Sequence, residues 1–132
     1  MNLQLIKERL AIRGVKLNPP VAYDARPLLE SHMSCNIDER FIELYHLFNG
    51  FNDGSFDVDN YIAIWSLEKI IARLDCNRFP YVAFADLSLD AELFEIDISN
   101  INNPVRKKFS GGNIAASFDS FWDYFFSPNA TF

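Results

Sequence analysis

Residues 42–51, IELYHLFNGF, read as the end of an amphipathic helix stopped by an Asn-Gly pair. Phe41, Leu44, Tyr45 and Phe48 recur at i, i+3, i+4 and i+7, the spacing of one helical face. Asp38 stands where it can cap this helix or enter its first turn. Downstream, Phe51-Asn52-Asp53-Gly54-Ser55 is turn chemistry. Tyr61 to Trp65 is rich in strand formers, and Ser66 then reads as the N-cap of a short helix, Leu67 to about Leu74. Ile70, Ile71 and Leu74 would turn inward.

Upstream, residues 2–13 have a helical pattern, with Leu3, Ile6 and Leu10 on one face and Gly14 placed to end it. Pro19-Pro20 forces an extended stretch. A second helix is expected from about Asp24, its N-cap, to Met33, because Pro27 is tolerated only in a first turn. From Phe79 the character changes. YVAF (81–84) and ELFEIDI (92–98) flank a turn expected at Asp86 to Asp90 and read as a hairpin. Leu93, Glu95 and Asp97 alternate with Phe94, Ile96 and Ile98, which suggests one packed and one wetter sheet face. VRKKF (105–109) reads as an edge strand guarded by its lysines, and Gly111-Gly112 as a loop. Ser117 would cap a last helix bearing Phe118, Phe121, Trp122 and Phe125, ended by Pro128. Helices, then strands, then a closing helix specify one α+β domain. Its N-terminal helices pack on an antiparallel sheet that the C-terminal helix closes.

A chain of 132 residues, 49% apolar and with 13 Phe, can bury a core and is too hydrophobic for disorder. No apolar run approaches the roughly 20 residues of a membrane span. Glu8 and Arg9 interrupt the first segment, which therefore lacks the uncharged centre of a secretory signal, and a cytoplasmic address is expected. Two cysteines, Cys35 and Cys76, fit that address: they are too few for a disulfide framework, and two buried thiols are expected, with one structural disulfide as the alternative.

The net charge of −6 is uneven: residues 1–50 balance, residues 51–104 carry −7, and residues 105–132 carry +1. Nucleic acid is excluded as a direct partner of such a surface, whereas a basic protein would be steered to it.

The order of these elements resembles the SMI1/KNR4 (SUKH) superfamily over about residues 17–127. The resemblance is carried by IDERFIELYHLFNGF with Asn49 and Gly50, by WSLEKI with Ser66 and Leu67, by the hairpin VAFADLSLDAELFEIDI, and by ASFDSFWDYFF with Ser117, Phe118 and Phe121. Where many members carry Leu-Pro before the Asn-Gly helix this chain has Ile37-Asp38, and where many have a Gly-rich hairpin turn it has LSLDAE. What the resemblance implies is binding without chemistry or cofactor. Bacterial members resemble immunity proteins that neutralise toxins, often nucleases, by direct contact. Eukaryotic members resemble scaffolds and regulators.

Two carboxylate groups are the candidate partner-binding residues. Asp53, Asp57 and Asp59 share a loop flanked by Phe51, Phe56 and Tyr61, which read as interface anchors or as core. A calcium-loop reading fails, because Gly54 follows the first Asp directly and Ile64 stands at the twelfth position. Asp86, Asp90, Glu92, Glu95 and Asp97 lie in the hairpin, where Glu95 and Asp97 would form an acidic stripe on an exposed sheet face. Paired carboxylates can also do acid–base work when buried together, so an enzyme remains a third class beside immunity protein and scaffold. His32 and Cys35 offer two ligands where zinc needs four, and His46 lies off its helix's apolar stripe. Trp65 and Trp122 read as core or boundary residues.

Overall fold

Burial of the aromatic stripes organises the chain into helices on one face of a sheet. The computed structural model describes residues 1–32 and 37–132. The elements are α1 (Leu3–Ile12), α2 (Ala25–His32), α3 (Glu39–Leu47), β1 (Ile62–Ile64), α4 (Leu67–Ala72), a 3-10 turn (Cys76–Arg78), β2 (Tyr81–Leu87), β3 (Glu92–Asp97), β4 (Val105–Lys107), β5 (Asn113–Ala115) and α5 (Phe118–Phe125). The architecture is a single α+β domain. Each strand pairs antiparallel with the next, in the order β1-β2-β3-β4-β5. Among the described residues no helix is long and apolar enough to cross a membrane. Met33 and Cys35 lie outside the described residues, as does the side chain of Cys76, so the thiol and His32–Cys35 expectations fall there.

Local capping fixes the helix starts. Asn2 accepts from the amides of Gln4 and Leu5, Asp38 from Arg40, Ser66 from Lys69, and Ser117 from Ser120. Asp24 accepts from the Arg26 amide, and His46 Nε2 from the Ala25 amide at 2.9 Å. His46 thus belongs to the packing of α3 against α2.

On the inner face of the sheet Phe84 meets the rings of Phe41, Phe118 and Phe121 with centroids 6.2, 5.6 and 5.5 Å apart. A β-bulge lies at Ala83–Ala85. Val82 lies opposite Ile96 and Ala85 opposite Phe94, so one extra residue is accommodated while both ends of β2 stay in phase. Trp122 is fully buried in this cluster, its indole Nε1 without an acceptor among the described residues.

Three expectations are corrected. β4 is not an edge, because Gly111, at φ +78°, turns a tight hairpin and β5 pairs along it. The hairpin turn begins after Leu87, so Asp86 is a strand residue. The expected wetter face of β3 is largely covered: Leu93 and Glu95 are buried and Asp97 is half-buried. Trp65 and the arginines drawn onto Glu95 cover the outer side of the sheet.

Candidate partner-binding groove

The Asn49-Gly50 pair does more than stop α3; it seats Trp65. Gly50 has φ +71°, and a Cβ there would lie 2.5 Å from the carbonyl carbon and oxygen of Trp65. Only glycine permits that approach. Asn49 Oδ1 accepts from the Leu67 amide at 2.8 Å, and its Nδ2 donates to Glu68 at 2.8 Å. The Tyr45 hydroxyl donates to the Trp65 carbonyl at 2.7 Å, and burial, then the Glu68 charge, pushes its pKa up, so it stays a donor.

The following segment folds over the free side of β1. Phe51 donates its amide to Ile64 at 2.8 Å and Asp57 its amide to Ile62 at 2.8 Å. Between these ties residues 52–56 form a loop held to the segment after α1, where Asn52 donates its amide to the Lys16 carbonyl at 2.8 Å and Ser55 Oγ accepts from the Lys16 amide at 2.9 Å. Tyr61 then enters β1 with φ +59°, a left-handed conformation unusual for a bulky residue, and its carbonyl accepts from the Ser88 amide at 2.9 Å. Ser88, Leu89 and Asp90 are also left-handed, at φ 51°, 56° and 69°. Each such residue carries a conformational cost, and strain of this kind gathers at functional sites.

The result is a groove of about 550 Å³ bounded by the 51–56 loop, β1 with Trp65, and the β2–β3 turn. Trp65 and Asp86 are deep in it, at 2% and 6% exposure, while Phe56, Tyr61 and Leu89 form the rim at 43%, 59% and 93%. The rings of Phe56 and Tyr61 stack 6.2 Å apart. At the base Trp65 Nε1 donates to Asp86 Oδ2 at 2.6 Å. Lys69 Nζ lies 3.8 Å from the same oxygen. Lys69 and Arg73 sit over the Trp65 ring at 4.8 and 4.4 Å. The surface offers apolar contact area around one deep charged acceptor, which is recognition chemistry.

The eight candidate carboxylates are scattered by the fold. Asp53 and Asp86 line the groove. Asp57 is fully buried and receives both a 3.0 and a 3.2 Å hydrogen bond from Arg13, whose Nε also lies 3.4 Å from the exposed Asp59. Asp90 pairs with Arg73 at 3.0 Å. Glu95, expected on an open acidic stripe, is instead 2% exposed and pairs with Arg78 at 2.7 Å, with Arg106 4.0 Å away. Asp97 accepts from the Ser99 amide and hydroxyl. Glu92 is buried, which raises its pKa. Hydrogen bonds from the Phe109, Ser110 and Leu93 amides and the Ser110 hydroxyl outweigh that and hold it below the usual range. Asp57, Asp86, Glu92 and Glu95 are therefore no part of an open acidic face. The cations that pair with these carboxylates are Arg13 at the end of α1, Lys69 in α4, Arg73 at its end, Arg78 in the 3-10 turn and Arg106 in β4, partners a local reading does not assign to them.

Phe56 and Tyr61, weighed as anchors, stand exposed on the rim, whereas Phe51 is core at 4% exposure. Leu89 and Lys69 carried no signal as candidates. The available hint was a leucine central in a tight turn, where Asn or Gly is favoured. Among the described residues no group of three or more His, Cys, Asp or Glu could hold a metal ion. Comparison with models of protein families, with curated proteins and with solved structures returned no match.

Proposed function

We propose that the protein is a non-enzymatic protein-binding domain of the immunity type, which neutralises a bacterial toxin domain by occupying it. The groove beside Trp65 is its contact surface. The observation that carries this reading is the rim, where Tyr61 and Leu89 are held exposed in left-handed backbone. Exposed aromatic and aliphatic side chains around a concavity are what a protein partner buries. The toxin assignment draws support from the resemblance to SUKH proteins and from the net charge of −6. A toxin that acts on nucleic acid must itself be basic.

The internal pairing of Asp57, Asp59, Asp90 and Glu95 favours a second reading. With those charges already satisfied, the groove could serve a scaffold that binds a cellular segment with no toxin involved. A pull-down from the source organism, followed by co-expression of the captured protein with this chain, separates the two. Capture of a toxin domain whose lethality is relieved by the chain, and not by a Leu89→Asp variant, supports immunity. Capture of a non-toxic partner through the groove supports the scaffold, and capture insensitive to Leu89→Asp refutes the groove in both.

A further inference from the structure

We propose that the groove seats one basic side chain of the partner, arginine by its shape, with apolar neighbours spread over the rim. The inference rests on the protein-binding reading and adds the chemistry of the anchor. Both close contacts of Asp86 fall on Oδ2, from the Trp65 indole at 2.6 Å and from Lys69 at 3.8 Å, the latter beyond hydrogen-bond reach. Oδ1 receives no hydrogen bond from the described residues. A carboxylate whose side chain is only 8% exposed, at the base of an open groove, has acceptor capacity to fill. A guanidinium fills it with a charge-assisted bond.

Charge points the same way. Asp53 and Asp86 line the groove against the single ammonium of Lys69, so an anionic guest meets two repulsions and a cationic guest one. The walls suit a planar cation as well. Phe56 and Tyr61 present a stacked pair, and a guanidinium is weakly hydrated and lies readily on aromatic faces. The protein already uses that contact internally, with Arg73 4.4 Å from the centre of the Trp65 ring. Lys69 is 44% exposed and can withdraw into solvent as the guest enters. Leu89, 93% exposed on the rim, gives a protein segment further apolar contact.

The test is a titration of ¹⁵N-labelled protein with N-acetyl-arginine amide, reading the indole N–H signals of Trp65 and Trp122. The Trp65 signal should shift with a Kd on the order of 1 mM, as for a fragment-sized ligand, while that of Trp122 in the core stays put. N-acetyl-citrulline amide, isosteric and uncharged, should bind at least about tenfold more weakly, as should the arginine probe to Asp86→Asn. An unchanged Trp122 signal verifies that variant's fold. Lys69→Gln should strengthen binding, which no loss of folding can imitate. Equal binding of both probes, no Trp65 shift, or weaker binding to Lys69→Gln overturns the proposal. A captured partner that binds wild type and Asp86→Asn equally leaves the protein-binding reading standing and overturns this one. Saturation by the free probe below about 10 µM would mark a small-molecule site and overturn the assignment to a protein side chain.

Discussion

Trp65 donates its indole hydrogen to Asp86 at 2.6 Å, joining the residue ahead of the α4 cap to the end of β2. The bond fixes a large aromatic at the base of the groove and keeps a buried carboxylate pointed at it. Everything that locates Trp65 is therefore coupled to the binding surface, beginning with the glycine on which its carbonyl rests.

Gly50→Ala should damage stability and groove together. The new Cβ would meet the Trp65 backbone at 2.5 Å in a left-handed conformation. We expect a loss of at least about 2 kcal/mol in urea denaturation, with altered Trp65 fluorescence. Gly54→Ala, also left-handed but with nothing within 4 Å, should cost less.

Arg13→Ala strands the buried Asp57 carboxylate and removes a guanidinium lying 4.8 Å from the centre of the Phe126 ring. The expected loss is about 3 kcal/mol by chemical denaturation. Asp57→Asn acts on the same pair, so any binding defect it shows must be corrected for the unfolded fraction. Asp53→Asn escapes this problem, since Asp53 is exposed and makes no ion pair among the described residues.

Leu89→Asn should raise stability while lowering affinity. Asparagine tolerates the left-handed region that Leu89 occupies at φ 56°, so relief of about 1 kcal/mol is expected in thermal or urea unfolding. A stabilised variant with unchanged partner affinity would show that the strain serves no contact.

Glu92 gives the fold an acid sensitivity of defined sign. Its folded pKa is lowered, so on acidification the unfolded chain, with a Glu pKa of about 4.3, takes up the proton first. The stability it contributes is complete above that value and is lost as pH falls through the folded pKa. Glu92→Gln should therefore show a smaller decline between about pH 5 and pH 3 in denaturation midpoints.

The helices were legible because their signals are local. Asp38, Ser66 and Ser117 cap the helices they were expected to cap, and the Phe118–Phe125 stripe is buried as its spacing implies. β5 escaped notice because Asn113-Ile114-Ala115 holds one strand former in three residues. The carboxylates misled for a different reason: a sequence displays an Asp but not its counter-ion, and Arg13 stands 44 positions from Asp57. Burial of Glu95 likewise depends on Arg78 and Arg106 converging across the sheet. The groove needed three separated segments, at Phe56, Trp65 and Leu89, to meet. Its aromatic flank at Phe56 and Tyr61 and two of its carboxylates, Asp53 and Asp86, could be read in advance, but not that they meet.

A protein partner docked in the groove would cover Leu89 and leave Ile101 in solvent. Affinity for the captured partner, measured by calorimetry for wild type, Leu89→Asp and Ile101→Asp, tests this docking most directly. Both residues are exposed aliphatics, at 93% and 76%, and both changes add one negative charge. Ile101 is outside the groove lining, in the β3–β4 turn. Leu89→Asp should weaken binding by about 30-fold, the effect of removing an interface hot spot, and Ile101→Asp should bind as wild type. Equal affinity for all three proteins, or a loss confined to Ile101→Asp, would contradict docking in the groove.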